Sequence, residues 1–344
     1  MNRNIFYGTL GVLAAIAVIA GGVGAFRREA GKSRPVPVLM YHEVGDKTNS
    51  AWCVPAKIFR SQMSSLREQG FQTILPSDLA AHRKWRRPLP RRPIIITFDD
   101  GYLCNLTRVE PILNENGFRA IIYLITGRVA ETAAERRQYE GKDCLVWPEA
   151  LAMQKRRTFV FGGHSHTHAN LVVDANPAWQ MAECRRQLIL HGIKKPHSFS
   201  YPHGEYNEKT IQAAREAGFQ TAVVCQDAVT SIGPGANLLA LPRVSVMGGS
   251  HEFRFLENKP DAGGKALLCR VSHTGIPIEI TAGLRGNGNA PDIWLPAREV
   301  SRGDFELRFA LPDDPAGPGH GLVEIWDKHR LFKLATAGAQ KTDH

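Results

Sequence analysis

The chain lacks several patterns that would indicate a binding or scaffold protein. It has no CxxC pair, no Cys/His cluster with structural-zinc spacing, no low-complexity segment and no solenoid-type repeat. Its six cysteines are widely separated, and the apolar runs before Cys225 and Cys269 favour buried thiols, although disulfides in an oxidising compartment are compatible with the even number. At 43% hydrophobic and 22% charged residues, the 344-residue composition is typical of a globular protein.

The net charge of +10 is concentrated in two places. One is a Pro-containing stretch with Arg83, Lys84, Arg86, Arg87, Arg91 and Arg92, and the other is Lys155–Arg157. Such stretches are typical of solvated surface loops, with contact to anionic lipid or polymer as the alternative. Aromatic residues are not interleaved with these cations and no recognition-helix pattern accompanies them, so we expect no nucleic-acid partner.

The segment from Ile5 to Phe26 is almost uncharged and about one bilayer span long. It predicts membrane targeting, and the small residues Val23-Gly24-Ala25 leave both cleavage and anchoring open. The arginines that follow would favour a cytoplasmic carboxyl-terminal side by the positive-inside rule, which opposes export. We expect residues 1–34 to be a signal or anchor segment with a linker.

Residues 35–248 alternate extended apolar runs with amphipathic helices, which predicts an α/β domain with a mostly parallel sheet, either a barrel or doubly wound. Three junctions repeat a helix, a Gly-Phe pair that closes it, and a strand. In the first junction, a helix with Phe59, Met63 and Leu66 is followed by Gly70-Phe71 and the strand Gln72–Leu75. In the second, a helix with Val109, Ile112 and Leu113 is followed by Gly117-Phe118 and the strand Ala120–Ile125. In the third, a helix that ends at Ala217 is followed by Gly218-Phe219 and the strand Thr221–Cys225. A further helix is expected over Pro177–Leu190.

Residues 249–344 have a different texture, with short period-2 segments between Gly, Pro and Asp. Strands are expected over Ile276–Thr281, Phe305–Leu311 and Val323–Trp326. We interpret this region as a small all-β domain, either a carbohydrate-binding module or a structural appendage.

An apolar strand, Pro93–Phe98, runs directly into Asp99, Asp100 and the turn residue Gly101. Loops at the carboxyl ends of parallel strands are where α/β folds build their sites. Taken alone, Asp99 and Asp100 also fit a simpler interpretation, in which one aspartate caps the next helix and the other is exposed to solvent. A second apolar run leads into His164-Ser165-His166-Thr167-His168, and on a helical turn His164 and His168 would share one face. Two His and a carboxylate are a frequent catalytic set for a divalent metal, although a lone HxxxH is more often structural.

These motifs resemble those of a known family. Thr97–Gly101, His164–His168 and Phe199–Gly204 are similar to the first three motifs of the polysaccharide deacetylases, the NodB-homology or carbohydrate esterase 4 enzymes. Val36–His42 and Leu241-Pro242-Arg243 resemble the branch of poly-β-1,6-N-acetylglucosamine deacetylases. The resemblance covers residues 35–247 and implies a distorted (β/α) barrel that hydrolyses acetamido groups of an amino-sugar polymer, and therefore an exported protein that is membrane-anchored, periplasmic or extracellular.

The resemblance also implies roles for individual residues. Asp100, His164 and His168 would bind a divalent metal, commonly zinc, with Asp99 as general base. In the branch of poly-β-1,6-N-acetylglucosamine deacetylases the order of the motifs along the chain is permuted, and His42 corresponds to the general acid of that branch. A main-chain N–H in the loop Tyr201, Pro202, His203 and Gly204 would stabilise the oxyanion.

Two residues depart from the family pattern. Ser200 stands where the family has an arginine that orients the base, and His203 replaces an aromatic residue. Arg243 is our candidate for the missing arginine, and His166 is expected to face away from the metal. An O-acetyl esterase and a non-catalytic carbohydrate-binding protein remain alternative functions.

Overall fold

The computed structural model describes residues 34–46 and 50–248, and beyond them only the backbone of strands between residues 252 and 338. The predicted targeting segment therefore lies outside the described residues. Within the described ranges, no helix is both long enough and apolar enough to cross a bilayer.

Up to residue 248, the described part of the chain contains six α-helices and fourteen strands. They are α1 Ala56–Glu68, α2 Pro76–Trp85, α3 Glu110–Asn116, α4 Trp147–Arg156, α5 Pro177–Leu190 and α6 Glu208–Glu216. The strands are β1 Arg34–Val36, β2 Val38–Tyr41, β3 Glu43–Gly45, β4 Cys53–Pro55, β5 Gln72–Thr73, β6 Pro93–Phe98, β7 Ala120–Leu124, β8 Gln138–Tyr139, β9 Lys142–Asp143, β10 Phe159–Gly163, β11 Ser198–Ser200, β12 Thr221–Val223, β13 Thr230–Ile232 and β14 Val244–Ser245. A π-turn, Asn105–Val109, leads into α3, and Pro202–Gly204 forms a 3₁₀ turn.

The central sheet is parallel, with the order β12-β11-β10-β7-β6-β2-β14 and with β5 beside β6. Leu241 bridges to Val223 in β12, and β14, three residues later, pairs with β2. One short segment therefore links both edges of the sheet, which curls it into a barrel. The predicted α/β class with a distorted (β/α) barrel is confirmed.

The two faces of the central strands have different environments. Ile94, Ile96 and Phe98 of β6 pack outward with the buried residues of α1 and α3, whereas Ile95 packs inward with Val38 and Ile121. Because side chains alternate along a strand, the inward series of β6 continues from Ile95 to Thr97 and then to Asp99. The barrel interior is thus apolar at the amino ends of the strands and polar at their carboxyl ends.

The predicted helix–Gly–Phe–strand junctions are present. Phe59, Met63 and Leu66 form the buried face of α1, and Gly70, Gly117 and Gly218 all have positive φ. The predicted strands begin at the expected residues but end earlier, at Thr73, Leu124 and Val223. Helix α5 has exactly the predicted bounds.

Two details of the prediction are wrong. Arg83 and Lys84 belong to the last turn of α2 and not to a loop, because Pro76 and Asp78 start a helix there, with the Asp78 carboxylate accepting from the Leu75 N–H. Cys225 is exposed instead of buried, since β12 ends two residues before it.

Beyond residue 248 the described backbone consists of strands. They are β15 Glu252–Pro260, β16 Ala266–Thr274, β17 Ile280–Arg285, β18 Ile293–Pro296, β19 Arg298–Ser301, β20 Asp304–Ala310, β21 Leu322–Asp327 and β22 Lys333–Gly338. They pair antiparallel in two four-stranded sheets, ordered β15-β16-β20-β19 and β18-β17-β21-β22. The expected strands around Phe305 and Val323 are present, whereas residues 276–279 of the first expected strand lie outside the described residues. The domain boundaries remain predictions.

Candidate active site

The predicted site residues follow parallel strands of the central sheet. His42 comes directly after β2, Asp99 and Asp100 after β6, and His164 after β10. Tyr41 pairs with Phe98, so His42 and Asp99 leave adjacent strands at the same level, and the Asp99 N–H donates to the Tyr41 carbonyl at 2.9 Å. The sheet therefore brings these residues together at its carboxyl edge.

Asp100, His164 and His168 form a compact donor set. The Asp100 Oδ1 lies 3.6 Å from His164 Nε2 and 3.7 Å from His168 Nε2, and the two Nε2 atoms are 3.2 Å apart. Ligand atoms about 2.0–2.2 Å from a tetrahedral zinc ion lie about 3.4 Å from one another. The spacing of the three donors therefore fits a small divalent cation.

Each histidine of this set is oriented through its other ring nitrogen. The His164 Nδ1 lies 2.7 Å from the Ser200 carbonyl oxygen, and the His168 Nδ1 lies 2.7 Å from the Tyr139 hydroxyl. Such partners fix each ring so that its Nε2 stays directed toward the other two donors. Neither partner could be identified from the HxxxH motif, because Tyr139 comes from β8 and Ser200 acts through its backbone.

The prediction that His164 and His168 share a helical turn is wrong. The segment after β10 is irregular, and His168 approaches the site because Ser165 and His168 have φ of 58° and 66°. The Ser165 hydroxyl accepts from the His168 N–H at 2.8 Å and supports this turn. Asp100, with φ of 69°, and His203, with φ of 60°, are also left-handed. Clustered strain of this kind is typical of functional sites.

The electrostatics of Asp100 also indicate a cation. Burial, followed by the neighbouring Asp99 charge, raises the pKa of Asp100 to about 8. Its Oδ1 is buried and has no hydrogen-bond partner among the described residues. A carboxylate in this position is ionised at neutral pH only if a positive charge offsets the burial, and a bound dication supplies one.

Asp99 has its own counter-charge, Arg243. The guanidinium donates from Nη1 to Asp99 Oδ1 at 2.8 Å and from Nη2 to Asp99 Oδ2 at 2.7 Å, and both side chains are at most 2% exposed. Burial alone would raise the pKa of Asp99, but Arg243 and then His164 outweigh it and hold that pKa well below its usual range. Asp99 is therefore kept as an anion beside a second carboxyl group.

Arg243 itself is held by the barrel interior. It donates to the hydroxyls of Thr97 and Ser200, each at 3.1 Å, and to the Val224 carbonyl at 3.3 Å. Ser200, which stands where the family has its arginine, also donates to Asp99 Oδ2 at 3.2 Å. The charge absent from position 200 is thus present at 243, with the Ser200 hydroxyl bridging the two residues.

His42 lies at the mouth of the same site. Burial lowers the pKa of His42 to about 4, with Asp99 acting in the opposite direction. Its Nδ1 is buried without a protein partner among the described residues, and its ring packs against Trp52 at 4.6 Å. Trp52 is 38% exposed and was not identified from the sequence, because it lies in a loop with no motif.

The Tyr201–Gly204 loop offers one main-chain donor. The Tyr201 N–H donates to Val223 and the Gly204 N–H to Tyr201, while Pro202 has no N–H. In the described part of the chain, the His203 N–H has no such acceptor, and the His203 ring stands 4.6 Å from that of His168. The Tyr201 side chain is buried away from the site and donates to the Leu239 carbonyl.

His166 is directed away from the three donors. Its Nδ1 lies 3.1 Å from the Thr126 hydroxyl and its ring packs on Trp179 at 5.5 Å. The group of residues able to hold an ion in the described ranges consists of Asp100, His164 and His168.

Comparison with known proteins agrees with this geometry. Residues 86–222 match the family model described as polysaccharide deacetylase. The match includes Asp99, Asp100, His164 and His168, whereas His42 and Arg243 lie outside it.

The individual relatives have low sequence identity to this chain. YxkH of Bacillus subtilis (strain 168), named as a polysaccharide deacetylase, is 26% identical over 66% of this chain and 78% of its own length. The poly-beta-1,6-N-acetyl-D-glucosamine N-deacetylase of Escherichia coli (strain K12) is 23% identical over 86% of this chain, which spans about half, 48%, of that relative. The structure of IcaB from Ammonifex degensii superposes with a TM-score of 0.55 at 23% identity, over 63% of this chain and 93% of IcaB, and shares the barrel fold.

The Tyr139 hydroxyl generates a test of the donor set. Tyr139→Phe removes the partner of His168 Nδ1 and should weaken zinc binding about 10- to 100-fold, the usual effect of losing such a contact. Competition with a chromophoric chelator measures it. Tyr206→Phe, whose hydroxyl contacts Gln226, is the control, and equal affinities for the two variants would contradict the orienting role of Tyr139.

Arg243 generates a test by pH. In Arg243→Gln the counter-charge is lost while burial remains, so the pKa of Asp99 should rise and the acidic limb of the kcat/KM profile should move to higher pH. Arg243→Lys keeps the charge but not the two-pronged contact and should move the limb less. Thermal melts check that each variant is folded, and an unchanged acidic limb in a folded Gln variant would refute the pairing as the source of the low pKa.

Proposed function

We propose that this protein is a metal-dependent N-deacetylase of polymers that contain N-acetylglucosamine. The observation that carries the proposal is the pair of adjacent, differently stabilised carboxylates: Asp99 is held ionised by Arg243, and Asp100 joins His164 and His168 in a cation-sized donor set. Hydrolysis of an amide needs both a base for water and an electrophile for the carbonyl. Asp99 supplies the base, and Asp100 helps to hold the metal that serves as the electrophile.

The relatives support the class of substrate. Those from Escherichia coli and Staphylococcus aureus are named for poly-beta-1,6-N-acetyl-D-glucosamine, an amino-sugar polymer. We assign the same substrate class to this chain and leave the individual polymer, exopolysaccharide or cell-wall glycan, to a panel of acetylated glycans.

The residues divide the reaction between them. Zinc held by Asp100, His164 and His168 would polarise the acetyl carbonyl and lower the pKa of water. Asp99 accepts the proton of the attacking water, and the His203 N–H donates to the oxygen that gains negative charge. Burial keeps His42 neutral in the free protein, so the ring must take up a proton before it donates one to the nitrogen of the leaving amine, and acetate and a free amine are then released.

Location follows from the substrate. Such polymers lie outside the cytoplasm, so we propose an exported protein that is attached to a membrane by its amino-terminal segment or released by its cleavage. The apolar composition of Ile5–Phe26 supports this proposal.

Two other functions have distinct signatures. An O-acetyl esterase would release acetate from acetylxylan without forming an amine, whereas a non-catalytic carbohydrate-binding protein would release none. The unpartnered Asp100 Oδ1 and the strained backbone around it favour a catalytic site over a binding site.

Substitutions of the adjacent residues Asp99 and Asp100 should have different effects on metal binding and on turnover. Asp100→Ala removes a metal donor and should lose bound zinc together with activity, whereas Asp99→Asn should keep zinc and lose turnover. Metal analysis of the purified variants, with acetate release before and after chelation, separates the two. If Asp99→Asn emerges metal-free and Asp100→Ala does not, the roles are exchanged.

His42 should matter more for amides than for esters. His42→Ala should bind metal normally and lower kcat for an N-acetylated oligomer by about 100- to 10,000-fold, the usual range for one general acid. An aryl acetate has a good leaving group and needs that proton much less. Equal losses on both substrates would show that His42 supports structure or binding.

A further inference from the structure

The end of the barrel opposite the site is rich in cations. In a parallel sheet, the residues just before each strand lie at one edge and those just after it at the other. Arg92 directly precedes β6, Arg119 directly precedes β7, and Arg157 precedes β10 by two residues, and all three are exposed. The amino edge of the sheet is therefore positively charged, whereas Asp99 and Asp100 lie at the opposite, carboxyl edge.

A cavity of about 640 Å³ opens at this edge. The titratable residues that line it are all basic: Arg119, Lys155, Arg157, Lys194, Lys195 and His197. No Asp or Glu belongs to its lining. The His197 Nδ1 is buried there without a hydrogen-bond partner among the described residues. The chemistry of the cavity suits an anionic group.

Helix α2 connects the cavity to a second cationic surface. Its first turn, Pro76 and Ser77, lines the cavity, and its last turn carries Lys84 and Trp85. Trp85 is 70% exposed, with the Lys84 ammonium 4.8 Å from the centre of its ring. The sequence from residue 79 to residue 98 contains no Asp or Glu. We call α2, the loop 86–92 and the cavity the basic face.

The chain enters the barrel at this face. Arg34 donates to the carbonyl oxygens of Pro90 and, at 2.7 Å, Arg91. The apolar segment Ile5–Phe26 ends shortly before, and residues 27–33 can span at most about 25 Å even when extended. If that segment enters a bilayer, the basic face is the part of the barrel tethered beside it.

We propose that the basic face docks on anionic lipid headgroups at the surface of a membrane. Exposed arginines and lysines attract such headgroups, and an exposed tryptophan among them is typical of the membrane–water interface. The docked barrel presents the carboxyl edge of its sheet, with Asp99 and His42, away from the lipid. The docking depends on the predicted apolar segment for tethering, but not on the proposed deacetylase activity.

The experiment uses the full chain in vesicles that contain brominated phosphatidylcholine, with or without phosphatidylglycerol. Bromine quenches tryptophans that reach the interface, and the difference between the natural protein and Trp85→Phe isolates the signal of Trp85. We expect Trp85 to be quenched in the anionic vesicles, and the quenching to be lost at 1 M salt, where the Debye length is about 3 Å.

Paired variants test the charges. Lys84→Glu/Arg87→Glu should reduce Trp85 quenching to the level of neutral vesicles. The matched control is Lys57→Glu/Lys209→Glu, which reverses two exposed lysines in the first turns of α1 and α6, and it should leave the quenching unchanged. Both variants should hydrolyse a soluble N-acetylglucosamine oligomer like the natural protein, so a failure of docking is distinguishable from a failure of the proposed activity.

Two outcomes would overturn the proposal. The first is quenching of Trp85 that is equal in neutral and anionic vesicles, or absent from both. The second is a response of Trp85 fluorescence to a soluble polyanion such as polyphosphate without any response to anionic vesicles, which would assign the face to a polymer.

Discussion

A guanidinium buried in a protein interior must be neutralised and fully hydrogen-bonded, and in this barrel that requirement falls on Arg243. Its partners come from separate strands and loops: Asp99 and Thr97 at the end of β6, Ser200 at the end of β11, and the Val224 carbonyl after β12. An unpaired charge at full burial would be strongly destabilising. The same contacts that satisfy Arg243 therefore fix Asp99 in both position and ionisation, so that structure and base strength depend on one ion pair.

The metal donor Asp100 differs from Asp99 in how its charge is balanced. Asp99 is neutralised by the protein itself, whereas the neighbouring Asp100 is left with a buried oxygen that accepts no hydrogen bond from any described residue. Two carboxyl groups one residue apart thus acquire different chemistry, because period-2 alternation directs Asp99 into the barrel and the left-handed backbone at Asp100 turns its side chain toward His164 and His168.

Much of this arrangement could be predicted from the sequence. Apolar runs that end in Asp99-Asp100 and in His164 predict strand ends in a parallel sheet, and the Gly-Phe junctions predict the helices between them. The partners Tyr139 and Trp52 could not be found, because Tyr139 lies in the two-residue strand β8 and Trp52 in a turn, and only tertiary packing brings them to the site. The helical reading of HxxxH failed for a similar reason: the spacing fits a helix, but Gly162 and Gly163 before His164 belong to a strand, and Ser165 and His168 adopt left-handed backbone.

The segment that closes the barrel has a consequence for how the protein matures. Leu241 joins β12, Val244 joins β2, and Arg243 stands between them. A chain still emerging from the ribosome can pair β2 with β6 and align His42 with Asp99, but Asp99 has no guanidinium partner until residue 243 has been synthesised. We therefore expect the ion pair that keeps Asp99 ionised to form only once β14, the last strand of the barrel, is in place. A barrel that ends before residue 243 would leave the Asp99 carboxylate buried without its counter-charge.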